Sequence, residues 1–331
     1  MYLENIIPTI WIEDTEKFSE LMDIYRLYGI KKLRVNCTRH TVEEYVQMID
    51  MFVRKYHDTF RLLLDIPIPG SKIRIYYNWT GKEREIVKGQ KYRIGLMGDD
   101  VSKYDFYITY SSVIKESDIR KGLDIHVGEN GLSLKVCQID DKFFDVKACN
   151  SGIIPYGKYI YYNDVKFVYD EKALGMYTGL VKQTGIKDVA LSFVEKSTDV
   201  EKIRKEIGMA VNIISKIETE EAVKNLQEII KQSDEVMLAR GDLYNNTGVQ
   251  RFGKVVAEII SQCHKYDKRL YYATGVLESI SLNRKMPSRT DVIELYNVMK
   301  DKRHSIILDY GHCNTPEKAV NILDVISAVE L

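Results

Sequence analysis

Prolines are scarce, six in 331 residues, and no apolar run approaches the roughly 20 residues needed to cross a bilayer. A Pro-rich linker and a membrane-spanning helix are therefore not expected. Cysteines are equally few. Cys37, Cys137, Cys149, Cys263 and Cys313 are scattered, odd in number and without a C-x-x-C pair. That spacing argues against a disulfide framework or a cysteine-built zinc site, and makes a reducing cytoplasm the expected home. Net charge is missing too, because 48 acidic side chains match 48 basic ones, so nucleic acid is not an expected partner. The N-terminal segment carries charges on both sides of a short apolar run and lacks the features of a secretory signal.

What the chain does have is a regular alternation. Short apolar runs at 5–10, 32–36, 61–66, 188–193, 212–217, 235–240, 269–274 and 305–309 read as buried strands. Amphipathic stretches at 15–28, 41–57, 171–184, 198–207, 219–232, 249–266, 291–300 and 316–329 read as helices. Strands buried on both faces and followed by helices predict an α/β protein, a (β/α)8 TIM barrel; an ordinary doubly wound open sheet is the other reading of the same pattern. The third unit is interrupted. From 75 to 164 the pattern changes to short alternating segments with turn signals, among them Glu129-Asn130-Gly131. An all-β domain inserted after strand three is expected there, with the barrel built from 1–74 and 165–331.

Barrels of this kind carry their chemistry at the C-terminal ends of the strands. Those ends are polar here: Arg34, Asn36 and Thr38 after strand two, Asp65 on strand three, Lys216 and Glu218 on strand five. Arg240, Gly241 and Asp242 follow strand six, and Thr274 follows strand seven. Lys216 and Glu218 are two apart, so an extended strand points both the same way. A lysine among core residues is costly to bury without a partner or a charged ligand. Glu218 and Asp242 have the oxygen chemistry for a divalent cation, and Gly241 allows close backbone approach at a helix start. Arg34, Arg74 and Lys216 would neutralise a phosphoryl group. Each feature alone also has a plain reading: a structural ion pair for Lys216–Glu218, a surface turn for Arg240–Asp242, helix caps for Asn36 and Thr38.

The segment IISKIETEEAVKNLQEIIKQSDEVMLARGDL, 213–243, resembles the core signature of the pyruvate kinase family. So do LRVNCT at 33–38, LLLDIPIPGSKIRI at 62–75, YYATGVLES at 271–279 and MPSRTDV at 286–292. The resemblance implies the same barrel, with the inserted β-domain as a mobile lid. It implies Lys216, Thr274 and Arg34 as catalytic residues, and Glu218 and Asp242 as ligands of Mg2+ or Mn2+. Asn36, Thr38, Asp65 and Ile66 would hold K+, with Thr38 in place of a serine and Ile66 in place of a threonine. Arg240, Gly241, Asp242 and Thr274 would bind a phosphoenolpyruvate- or pyruvate-like substrate, and Arg34, Arg74 and Lys172 would contact phosphate. The barrel helices could provide a homodimer contact like the family's.

The departures fall elsewhere. Trp11-Ile12 stands where the family has Gly-Pro, and Arg39-His40 where it has His-Gly, both on the family's adenine side. The Asp-Thr-Lys-Gly-Pro run has become Asp65-Ile66-Pro67-Ile68-Pro69-Gly70, and Ser-Gly-Glu-Thr after strand eight has become Asp309-Tyr310-Gly311-His312. The sequence stops after the eighth helix, so the family's C-terminal regulatory domain is expected to be absent. Three readings follow: a metal-dependent phosphotransferase between phosphoenolpyruvate and a nucleotide, an enolpyruvate-handling enzyme with another phosphoryl partner, or a non-catalytic carboxylate-binding relative.

Overall fold

A computed structural model describes residues 3–38, 40–69, 73–77, 83–96, 101–108, 119–128, 131–162, 171–281 and 286–329. The chain divides into two compact units, 1–68 with 171–331, and 69–170.

In the first unit the chain runs β1 (Ile6–Ile10), α1 (Glu16–Leu27), β2 (Lys32–Asn36), α2 (Val42–Tyr56) and β3 (Arg61–Pro69). After the insertion it resumes with α3 (Glu171–Thr184), as labelled below. The inserted unit contributes β4 (Ile73–Tyr76), β5 (Glu83–Ile86), β6 (Lys91–Leu96), β7 (Phe106–Ile108), β8 (Asp124–Val127), β9 (Leu132–Ile139), β10 (Phe143–Ala148), β11 (Gly152–Pro155) and β12 (Lys158–Tyr162). Then come β13 (Asp188–Ser192), α4 (Ser197–Ile207), β14 (Asn212–Ile217), α5 (Glu220–Lys224), α6 (Leu226–Gln232), β15 (Glu235–Ala239) and α7 (Arg240–Lys265). The chain ends with β16 (Leu270–Ala273), α8 (Glu278–Ser281), α9 (Arg289–Met299), β17 (His304–Leu308), α10 (Tyr310–Cys313) and α11 (Pro316–Ser327).

Eight parallel strands close in the order β1-β17-β16-β15-β14-β13-β3-β2. Ile7, Leu63, Ala190, Ile214, Met237, Tyr271, Ala273 and Ile307 pack together as a buried cluster drawn from seven of them. Because side chains alternate across a strand, this layer sets the parity of everything above and below it. Two residues further on lie Thr9, Asp65, Ser192 and Lys216; two residues earlier lie Asn5, Arg61, Asp188, Asn212 and Glu235. The lower set forms a polar network at the N-terminal ends of the strands. Asp188 accepts from Lys32 at 3.0 Å, Arg61 at 2.8 Å and Asn212 at 2.9 Å, and Glu235 accepts from Asn212 and Tyr271. Burial opposes ionisation of Asp188, but the neighbouring Lys32 and the Asn212 hydrogen bond outweigh it and hold its carboxyl below the usual range. Replacing Ile214 with alanine should cost about 2–5 kcal/mol through the cavity left in the packed layer, read as a lower urea midpoint. An unchanged midpoint would mean the barrel centre is not close-packed.

Side-chain caps mark five of the helix starts. Thr15, Thr219 and Thr315 accept from the backbone three residues on, and Thr41 and Ser288 form capping boxes with Glu44 and Asp291. Two helices differ from the sequence reading. The stretch 219–232 is two helices that meet at Asn225. The helix expected at 249–266 starts much earlier, directly after β15, and is broken at Gly248, whose backbone is left-handed at φ 68°. The short α8 and α10 were not anticipated.

The inserted unit closes seven strands in the order β10-β6-β7-β4-β12-β8-β9, with β11 and β5 paired beside them. Its core includes Ile94, Phe106, Ile125, Leu134, Phe144 and Val146. Val127 pairs with Leu132 across the expected hairpin, although Glu129 and Asn130 lie outside the described residues. The expected barrel stretch 1–74 reaches Arg74. That residue belongs instead to the inserted unit, because β4 pairs with β7 and β12.

Candidate functional site

The upper layer of the barrel carries four charges in contact. Lys216 Nζ lies 3.3 Å from Asp65 Oδ1, 3.1 Å from Ser192 Oγ and 3.1 Å from Glu218 Oε1. Arg34 donates to Asp65 Oδ2 through Nε at 3.0 Å and Nη2 at 2.6 Å, and to Thr9 Oγ1 through Nη1 at 2.9 Å. Asp65 and Glu218 are 2% and 1% exposed, so both charges depend on these partners. Burial by itself would push the Asp65 carboxyl up, yet Lys216 and Arg34 together hold it below the usual carboxylate range. Burial likewise opposes the charge on Lys216, and Asp65, Glu218 and Asp242 outweigh it, so the ammonium is held above its ordinary value. Two cations and two carboxylates balance locally. The network keeps a lysine charged inside a barrel, at the end where a ligand would enter.

Glu218 is also fixed from the backbone. Its Oε2 accepts the N–H of Phe193 at 2.7 Å, and Phe193 adopts a left-handed conformation at φ 55° to provide it. The Glu218 carbonyl accepts from Asn246, which also donates to the Asp242 carbonyl, so the first turn of α7 is tied to the end of β14. Gly241 and Asp242 lie in that first turn, where backbone N–H groups have no intrahelical acceptor. Thr274 follows β16 with φ 68°, unusual for a β-branched residue, and Gly275 continues at φ 78°. This second left-handed step at a strand end is a place where local strain of about 1–3 kcal/mol is held by the surroundings.

Several expected residues are placed differently from one another. Arg240 turns toward β16, donating to the carbonyls of Thr274 at 2.8 Å and Ala273 at 3.4 Å and pairing with Glu294. Its observed contacts thus support the Thr274 turn. Asn36 ends β2 and Thr38 lies just past it, in a segment anchored by Tyr45, which donates to the Asn36 carbonyl, and Tyr177, which donates to that of Cys37. Cys37 N–H donates to the Asp65 carbonyl at 2.8 Å, and burial pushes the Cys37 thiol up, away from reactivity. Ile66 is fully buried. Arg74, in the inserted unit, donates to the Gly157 carbonyl at 2.9 Å. Lys172 lies in α3, and its side chain is outside the described residues, as is Arg39.

The donor chemistry suits the cations that the resemblance implies. Glu218 and Asp242 offer carboxylate oxygens, which match a hard divalent ion such as Mg2+ or Mn2+. Thr38 Oγ1 is buried with no hydrogen-bond partner among the described residues, beside Asn36 and close in sequence to the Cys37–Asp65 bridge. An oxygen-liganded monovalent cation would satisfy it.

The altered positions meet one another. Trp11, after β1, stacks on Tyr310, after β17, with ring centroids 4.4 Å apart and planes at 14°. Trp11 and Ile12 also line a small pocket with Asn36, His40, Tyr45 and Met48. His312 is buried, with Nε2 3.2 Å from the Leu277 carbonyl. Three contributors went unread in the sequence: Thr9, Ser192 and Phe193. The signal was there for Ser192, a hydroxyl ending the apolar run of β13 on the parity of Ala190; nothing local marks Phe193.

The family described as pyruvate kinase, barrel domain, matches residues 4–320. The pyruvate kinase of Encephalitozoon cuniculi is 26% identical over 318 residues, 93% of this chain and 70% of that protein. That of Clostridium perfringens is 28% identical over 274 residues, 80% of this chain and 56% of the relative. That of Thermotoga maritima is 28% identical over 309 residues, 88% and 62% respectively. Matched over nearly its whole length, and folded as a closed eight-stranded parallel barrel, the chain belongs to the pyruvate kinase barrel-domain family.

Proposed function

We propose that this protein transfers a phosphoryl group between phosphoenolpyruvate and a nucleotide. The observation that carries the reading is Lys216, kept charged inside the barrel by Asp65 and Glu218 at the catalytic face. In the direction of pyruvate formation, the bond from phosphorus to the enol oxygen breaks and one to a terminal oxygen of the nucleotide forms. The enolate then closes to a ketone as its methylene carbon takes a proton. Lys216 and Arg34 neutralise the phosphoryl oxygens in transit, the main catalytic demand of such a transfer. The first turn of α7, at Gly241 and Asp242, receives the substrate carboxylate through backbone N–H groups. Thr274 would sit by the methylene carbon as it gains its proton. A divalent ion held by Glu218 and Asp242 would polarise the enolate and phosphoryl oxygens, and Asn36, Thr38, Asp65 and Ile66 would hold potassium. Lys172 would add a phosphate contact.

The test is pyruvate release from phosphoenolpyruvate with Mg2+ or Mn2+, with and without K+, across a panel of nucleoside diphosphates. Metal-dependent turnover with one of them is expected. No turnover with any nucleotide would reject the kinase reading.

The Trp11–Tyr310 stack favours a second reading, in which enolate chemistry is retained and the phosphoryl partner is not a standard nucleotide. The expected signature is metal-dependent exchange of the pyruvate methyl protons with solvent in the absence of nucleotide. Tight carboxylate binding with neither exchange nor a metal requirement would point to a non-catalytic relative.

A further inference from the structure

Far from the catalytic face, at the N-terminal ends of the strands, two imidazoles and a carboxylate converge. His264 comes from the last turn of α7, Asp301 from the loop after α9, and His304 is the first residue of β17. His264 Nε2 lies 2.9 Å from Asp301 Oδ2 and 3.2 Å from His304 Nε2, and His304 Nε2 lies 3.7 Å from the same carboxylate oxygen. Three ligand atoms around a tetrahedral ion at bonds of 2.0–2.1 Å stand about 3.3 Å apart. The three measured edges bracket that value. Among the described residues, these form the one cluster of three histidine, cysteine or acidic side chains whose ligand atoms all come within 4.8 Å of one another.

The surroundings orient each ligand. His304 Nδ1 is 3.2 Å from the Val298 carbonyl; donating its proton there leaves a bare lone pair on Nε2, directed at the other two ligands. Asp301 is clamped by Arg303 through the backbone N–H at 2.9 Å, Nε at 3.1 Å and Nη2 at 2.8 Å, which holds the carboxylate still. The imidazole rings lie nearly parallel at 15°, and Tyr272 packs edge-on against His304. His304 is buried, whereas the His264 side chain is 39% exposed, so one side stays open for a water ligand.

We propose that His264, Asp301 and His304 bind one divalent transition-metal ion of the zinc class, tying the end of α7 to the start of β17. Two imidazoles and one carboxylate suit Zn2+, Ni2+ or Co2+, while Mg2+ and Ca2+ prefer all-oxygen shells. The positive charge of Arg303 works against the ion, so the site is an exchangeable one with three protein ligands, unlike a closed structural site. Its position on the face of the barrel that serves stability makes thermal resistance the property it controls.

The test is zinc chloride titrated into the chelator-stripped full chain by calorimetry, with a parallel thermal melt. The wild type should take up one ion that millimolar Mg2+ does not displace, and its Tm should rise with zinc. His264→Ala, chosen because its side chain is exposed, should keep the zinc-free Tm and weaken uptake by about 100-fold, removing the zinc-dependent rise. Asp301→Asn should weaken uptake too, whereas Glu218→Gln, at the opposite end of the barrel, should retain it. Added Co2+ should give the visible bands of a tetrahedral ion without a thiolate band. No uptake at 100-fold excess zinc, or equal uptake by wild type and His264→Ala, would overturn the site and leave a hydrogen-bonded tie.

Discussion

Lys216→Met should lower turnover of phosphoenolpyruvate by about 10²–10³-fold, with kcat carrying most of the loss. Methionine nearly matches the lysine stem in size and removes the charge, so the comparison isolates the ammonium. The group is positioned by three oxygens, from Asp65, Ser192 and Glu218, and therefore needs little reorganisation when charge develops on a transferring phosphoryl group. Methyl-proton exchange of pyruvate should fall in parallel if the lysine also stabilises the enolate side. The substitution has a structural consequence as well. Glu218 loses its cation while keeping the Phe193 N–H, and a carboxylate left buried without its ion partner costs about 3–5 kcal/mol. Activity is therefore to be compared at a temperature where both proteins are folded. Wild-type turnover by the variant would remove Lys216 from the mechanism.

Asp65→Asn should strongly destabilise the upper layer. It withdraws the acceptor shared by Arg34 and Lys216, leaving Arg34 buried against a neutral amide and Lys216 in contact with Glu218 as its remaining carboxylate. The expected loss at neutral pH is about 3–5 kcal/mol, a fall in Tm on the order of 10 °C for a unit of this size. The pH dependence follows from the direction of the shift. The folded-state Asp65 carboxyl is held below its unfolded value, so its stabilisation is complete above about pH 4 and disappears as pH falls through the lowered value. Lys216 is shifted the other way. Its contribution is complete below its ordinary value near 10.4 and is lost only as pH rises through the raised one. The stability gap between wild type and Asp65→Asn should therefore be level from about pH 5 to 9 and close in acid. An equal gap at pH 3 and pH 7 would show that Asp65 stabilises the barrel by packing and not by charge.

The eight strands and their helices were legible because each rests on a local pattern. Short apolar runs such as those at 188–193 and 305–309 need no distant partner to be read as buried strands. The same holds for Lys216 and Glu218, whose shared direction follows from two-residue alternation. The breaks in that legibility are also local in origin. The sequence reading delayed α7 because Gly248 interrupts the helical pattern, while the first turn that carries Asp242 is short and polar. Phe193 escaped notice because its role is played by a backbone N–H, which every residue but proline has.

Periodicity on its own determined eight strand–helix units with an all-β insertion and which strand ends are polar, and it left a closed barrel and an open doubly wound sheet both standing. Barrel closure decided the rest. Asp65 and Lys216 are 151 residues apart and lie on strands separated by β13, so only register around the closed sheet could bring them to 3.3 Å. Closure likewise laid Trp11 against Tyr310, and packing of α7 on the sheet laid His264 against His304, each from elements whose sequences say nothing of one another. Local pattern reports what one strand or helix wants to bury, whereas a contact between distant segments depends on the register of every strand that lies between them.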